Sequence, residues 1–149
     1  MSINNLVNEF GQIVRRGIHD SAIYRFDYTL NEKLDICLRD TIGTDRWLCT
    51  KGVRRLGFKD LVEGTIVSDV FCWVMGDGHR LDSTHVEAWI TLLGNNVTDE
   101  NFNNWCVAIE RQYAKCHFVF VESSYGGTIA VICDEVSFVE GPFSNTPRH

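Results

Sequence analysis

The sequence predicts a single α+β domain spanning residues 1–149. It consists of an antiparallel meander sheet of about six strands, an N-terminal helix, and an αα-hairpin inserted before the last two strands. Three observations carry that prediction. Residues 65–75, TIVSDVFCWVM, form the longest nearly unbroken apolar run. Segments on either side of it alternate apolar and polar residues at period two, as half-buried strands do. After Gly78 the pattern changes to helical spacing twice before alternation returns.

Residues 3–14 place Ile3, Leu6, Val7, Phe10, Ile13 and Val14 at helical spacing, with Ser2 as N-cap. Gly11 weakens this expected helix and Gly17 ends it. Next, Tyr24, Phe26, Tyr28 and Leu30 alternate with Arg25, Asp27 and Thr29, and Leu34, Ile36 and Leu38 alternate with Asp35, Cys37 and Arg39. The polar Asn31-Glu32-Lys33 between them reads as the turn of a hairpin. Each of its strands has one wet and one dry face, which suits the periphery of a sheet.

Residues 40–45 read as a second turn and residues 46–53 as a third strand, with Trp47, Cys49 and Val53 on one side. Residues 57–64 read as a short connection into the apolar run. Both alternate sets of that run are mostly apolar, so it is expected as a central strand covered on both faces. Short links between four successive strands favour a meander, because parallel crossovers need a dozen or more residues.

Thr84-x-x-Glu87 is a capping box, followed by Val86, Trp89, Ile90 and Leu93 on one stripe and Gly94 at the C′ position. A second stripe contains Phe102, Trp105, Cys106, Ile109 and Tyr113, capped by Thr98 or Asp99. The short link between the stripes predicts an αα-hairpin closing one face of the sheet. Residues 117–122 and 128–138 read as a final hairpin around Ser123-Ser124-Tyr125-Gly126-Gly127. Residues 141–149 are expected as a loose tail.

Composition narrows the function classes. The chain is 44% hydrophobic and 23% charged, ordinary for a soluble globular protein. No stretch reaches the length of a membrane span, and the N-terminus lacks the pattern of a secretory signal. Six cysteines without a C-x-x-C pair are read as buried, reduced thiols in a cytoplasmic protein, and zinc is not expected. A net charge of −6 argues against a phosphate backbone as partner and is compatible with a basic protein.

Several residue groups suggest chemistry. His19-Asp20-Ser21 holds a base, an acid and a hydroxyl, but consecutive residues cannot converge as a relay, so local backbone hydrogen bonding is expected. Cys116-His117 has the residue types of a nucleophile and base, yet neighbours on a strand point to opposite faces. Asp77, His79 and Asp82 lack the ligand spacing of a calcium loop. Ser123 to Gly127 lacks the lysine and the following helix of a phosphate cradle. Asp69, inside the apolar run, must reach an edge or pair, with Arg39, Arg54 and Arg55 as expected partners. Acidic residues gather in the first third of the chain, largely as a solvated face. Asp20, Asp27, Asp35 and Asp69 are the candidate binding residues for a basic partner. No catalytic residue, metal or cofactor is expected.

Residues 18–40 (IHDSAIYRFDYTLNEKLDICLRD), 51–70 (KGVRRLGFKDLVEGTIVSDV) and 118–136 (FVFVESSYGGTIAVICDEV) resemble a set of small bacterial β-rich proteins. These share a layout of His-Asp-Ser/Ala, two strands, Gly-Val and Gly-x-Ile-Val. Some are grouped as immunity proteins of polymorphic toxin systems, which protect a cell by binding a toxin's active site. The resemblance implies a non-enzymatic binding protein with a basic toxin as partner, and it offers no catalytic motif. Two other readings stay open. One is an enzyme whose site assembles from distant residues, such as Cys116 with His85 or Asp69 with His79. The other is a small-ligand binder with a cavity lined by Trp73, Trp89 and Trp105.

Overall fold

The computed structural model describes residues 6–14, 17–76, 86–94 and 98–141. Six antiparallel strands form a closed barrel: β1 (Ser21–Thr29), β2 (Lys33–Arg39), β3 (Asp45–Lys59), β4 (Ile66–Val74), β5 (His117–Tyr125) and β6 (Thr128–Glu140). Around the barrel the order is β1-β2-β3-β6-β5-β4. Two helices, α1 (Val86–Leu93) and α2 (Phe102–Gln112), follow β4 and precede β5. The expected capping residue Thr84, the loop with Asp77, His79 and Asp82, His85, and the tail beyond residue 141 lie outside the described residues.

A single continuous meander is not what forms. β1-β2-β3 and β4-β5-β6 are two three-stranded meanders, joined by β3 pairing with β6 and β1 with β4. The link from β3 to β4 joins strands that are not neighbours in the barrel. β3 is also longer than expected, because residues 57–59 continue the ladder against residues 128–130. A register shift between Val53 and Arg55 lets the strand bend without ending.

Alternation sorts side chains into an interior and an exterior core. Leu34, Ile36 and Leu38 of β2, Val70 and Cys72 of β4, and Val119 and Val121 of β5 join the interior cluster. Phe71, Trp73 and Met75 point the other way and pack with Trp89, Leu92, Ile109 and Phe118. Both faces of the apolar run are therefore covered, as its two apolar residue sets require. Trp89 and Phe118 are fully buried with ring centroids 5.1 Å apart, edge to face. Burying each such side chain contributes about 2–3 kcal/mol.

The hairpin of β1 and β2 is not peripheral. Residues 34–38 are all buried, including Asp35 and Cys37 on the outer face, because a closed barrel leaves β2 flanked on both sides. The helices do not pack as an αα-hairpin. α1 lies against β3 and β6, whereas α2 buries Ile109 alone among its residues and leaves Trp105 42% exposed. Their sequences explain the difference: α1 is apolar nearly all round, while α2 has one narrow stripe. No described helix is long and apolar enough to cross a membrane.

An N-terminal helix does not form over residues 6–14. The segment folds back on itself, with Val7 bridged to Ile13. Asn8 Oδ1 accepts hydrogen bonds from the backbone N–H groups of Phe10 and Gln12, which holds the turn. Gly11 takes φ +76°, a left-handed conformation that a helix interior excludes. The helical spacing was misleading because Phe10 and Val14 face outward, 67% and 63% exposed, while Leu6 and Ile13 are buried.

This segment completes the barrel seam. The ladder between β1 and β4 contains just Ser21 opposite Val67 and Ala22 opposite Ile66. Farther along β4, the Ile13 N–H donates to Val70 O and the Cys72 N–H to Gly11 O. Backbone groups on the β4 edge are thereby paired from two directions in the sequence.

Candidate functional site

The seam between β1 and β4 gathers polar and charged groups from four places in the chain. Its organising feature is a register shift between Val67 and Asp69, where β4 slips against β5. The shift turns Ser68 and Asp69 away from the apolar interior, which is how a strand this hydrophobic carries a carboxylate. Asp69 stands opposite Glu122 on β5, and Ser68 Oγ donates to Glu122 at 3.1 Å. Among the described residues, Asp69 does not pair with an arginine as expected. It accepts a hydrogen bond from the Gln12 amide, while Arg54 binds Asp134 and Arg39 binds Asp45.

His19 and Asp20 complete this corner. The His19 ring lies with Nδ1 2.9 Å from Ser68 O and Nε2 3.6 Å from an Asp20 carboxylate oxygen. Both side chains are exposed, at 70% and 63%. The Ser68 carbonyl raises the His19 pKa, and the charges of Asp20 and Asp69 raise it further. Asp20 adopts φ +66°, and its N–H donates to Val67 O, so the local backbone role expected for it is present. Ser21 is buried and donates to Ile18 O, not to His19, so no relay forms.

The other two candidate residues sit elsewhere. Asp27 of β1 faces Asp35 of β2 directly across the ladder. Arg25 lies 3.1 Å from Asp27, and Lys33 lies 3.9 Å from Asp35. These cations offset the repulsion that like charges suffer across adjacent strands. Asp35 is only 5% exposed. The structure thus places Asp20, exposed, and Asp69, partly buried, at the seam, and Asp27, partly buried, and Asp35, buried, on the flank.

A second polar cluster centres on Asp134 of β6. Arg54 grips its carboxylate with two hydrogen bonds of 3.0 Å. Cys116 Sγ lies 3.7 Å from the same carboxylate, and His117 Nδ1 lies 3.2 Å from the Asp134 carbonyl oxygen. Gly52, at φ +65°, leaves the space the Asp134 carboxylate occupies; a Cβ there would overlap it. Asn31, Gly52, Val53, Arg54 and Asp134 line a cleft of about 390 Å³.

This arrangement does not activate the thiol. Burial raises the Cys116 pKa, and the neighbouring Asp134 charge raises it further, with Arg54 opposing. Arg54 in turn holds the Asp134 carboxyl below the usual range. Both Cys116 and His117 are directed to Asp134, Cys116 to its carboxylate and His117 to its backbone carbonyl. A nucleophile–base pair between neighbouring residues is therefore not assembled.

All six cysteines are free. Burial pushes Cys72 up to about 12 and Cys106 up to about 11. Among the described residues, no group of three or more His, Cys, Asp and Glu side chains is arranged to hold a metal ion. Trp73 and Trp89 pack on Phe118, and Trp105 is on the exposed side of α2.

Sequence reasoning missed Gln12, His19 and Glu122 as members of the seam corner. Gln12 was assigned to a helix that does not form, and Glu122 becomes Asp69's neighbour through long-range pairing. Comparison with protein families, curated proteins and solved structures finds no match.

Proposed function

We propose that this chain is a non-catalytic protein-binding module of the immunity type, which neutralises a basic bacterial toxin by covering it. The observation that carries the proposal is the seam corner, where Asp20 and Asp69 act on His19 and Glu122 lies opposite Asp69, each from a separate segment. Such a corner offers carboxylates in register to lysine and arginine side chains and raises the rate of encounter with a basic protein. His19 is raised chiefly by its contact with the Ser68 carbonyl, and the charges of Asp20 and Asp69 add to that.

The proposal expects a toxin gene immediately upstream of this one, and the test uses the product of that gene. Co-expression of the chain should restore growth of cells making that toxin. Purified proteins should bind with an affinity that falls as salt rises. A triple variant, Asp20→Asn, Asp69→Asn and Glu122→Gln, should lose rescue while retaining its fold. Failure of the native chain to rescue growth, or full rescue by the triple variant, would overturn the proposal.

A further inference from the structure

One stretch of the barrel wall has an edge that no described strand pairs. Beyond Ile23, whose N–H donates to Thr65 O, β1 pairs with β2 on one side and with no described strand on the other. Its outer edge opens onto a groove of about 350 Å³, lined on β1 by Ile23, Tyr24 and Phe26 and across the gap by Leu61, Val62 and Glu63. Tyr24 is 61% exposed and Tyr28 37% exposed on this strand. An uncovered edge presents backbone N–H and C=O groups able to extend a sheet with another chain.

The sequence of that edge is self-complementary. Reading Tyr24-Arg25-Phe26-Asp27-Tyr28, the charges are opposite and the aromatics equal at matching distances from Phe26. When two such strands meet antiparallel about Phe26, Arg25 of each copy falls opposite Asp27 of the other. Tyr24 is the extra residue of a bulge between Ile23 and Arg25, so the matched ladder runs over Arg25, Phe26 and Asp27, with Phe26 opposite Phe26. Opposite charges and aromatic pairs are the cross-strand combinations that stabilise an antiparallel ladder. A two-fold axis also makes each favourable pair occur twice.

We propose that β1 pairs with β1 of a second copy of this chain, forming a two-fold dimer centred on Phe26. Arg25 already lies 3.1 Å from Asp27 within the chain, so in the dimer each Asp27 sits between two arginines. A ribbon of this length covers less area than a standard stable interface, so the dimer forms reversibly and depends on concentration. The inference is independent of the toxin-binding proposal, because it uses a different part of the surface and a different partner.

Sedimentation equilibrium over a range of chain concentrations tests it. The native chain should pass from monomer to dimer as concentration rises. Amide exchange of residues 25–28 should slow over the same range. Asp27→Arg sets arginines against each other and should weaken the dimer by about tenfold or more. The double variant Arg25→Asp, Asp27→Arg restores complementarity and should recover it. If Asp27→Arg fails to fold, Arg25→Asp produces the matching clash between aspartates. The proposal is overturned if the native chain stays monomeric at its highest soluble concentration. It is equally overturned if the dimer is indifferent to the single charge reversal, or if the double variant is no tighter than the single one.

Discussion

Gly11 lies so close to the Trp73 indole that a Cβ built on it would overlap three ring atoms. Trp73 faces away from the barrel interior on β4, and Gly11 belongs to the segment that fills the seam beside that strand. A backbone at φ +76° and a bulky neighbour both demand glycine at this position. Gly11→Ala should therefore cost about 1–3 kcal/mol. Urea unfolding followed by tryptophan fluorescence measures the cost. The Cys72 amide, which donates to Gly11 O, should also exchange faster with solvent. A native-like midpoint would show that the seam is not held by this contact.

The buried hydroxyls of Thr91 and Thr128 lie 2.6 Å apart, joining α1 to the start of β6. Thr91 Oγ1 donates to Glu87 O, which leaves Thr128 to donate to Thr91. Thr91→Val should cost about 1–3 kcal/mol, because the Thr128 hydroxyl keeps its burial and loses its acceptor. Replacing both by valine should cost less than the sum of the single changes. A double-mutant cycle in thermal melts decides this, and strict additivity would show the two groups to be uncoupled.

His19 should titrate above the ordinary histidine value, because the Ser68 carbonyl and two carboxylates favour its proton. A raised folded-state pKa means that the folded chain binds this proton more tightly than the unfolded chain. The resulting stability is fully present below the unfolded pKa and lost as pH rises through the folded one. In an NMR titration, Asp69→Asn and Asp20→Asn should each lower the His19 midpoint. Protonation also places a positive charge in the acidic corner, so binding of a basic partner should weaken on acidification through that midpoint.

Cys116 should react slowly with iodoacetamide near neutral pH, since burial and Asp134 both disfavour its thiolate. Asp134→Asn removes the adjacent negative charge and leaves Arg54 nearby, so the pH–rate profile of alkylation at Cys116 should move to lower pH. Peptide mass spectrometry identifies the modified thiol. The same substitution has a linkage consequence. The folded Asp134 pKa is depressed by Arg54, so its stabilisation is present above the unfolded carboxyl pKa and lost as pH falls through the folded one. The asparagine variant should thus show a shallower loss of stability in acid. An unchanged alkylation profile would separate Cys116 from Asp134 control.

Much of the local structure was legible because strand and helix impose their own periods. Tyr24 to Leu38 announced a hairpin, Phe118 to Phe138 another, and Trp89 and Ile109 marked helices that form where the pattern changes. Residues 6–14 were misread because helical spacing counts apolar residues and is blind to which way they point. There the Asn8 side chain and the positive φ of Gly11 outweighed the apolar stripe. Asp69 was recognised as needing compensation, but its partner Gln12 is 57 positions away, beyond any local pattern.

What the sequence determined alone was that residues 65–75 form a strand with two mostly apolar residue sets, both of which need cover; the register shift at Val67/Asp69 then decided which of them turn inward. It also determined that the chain mixes strands with helices. Tertiary structure alone decided that the sheet closes, that β3 joins β6, and that Asp69 meets Glu122 while Asp27 meets Asp35. The division has a physical cause. Period is enforced within each strand by its own backbone geometry, whereas closure and register depend on hydrogen bonds between strands far apart in the chain.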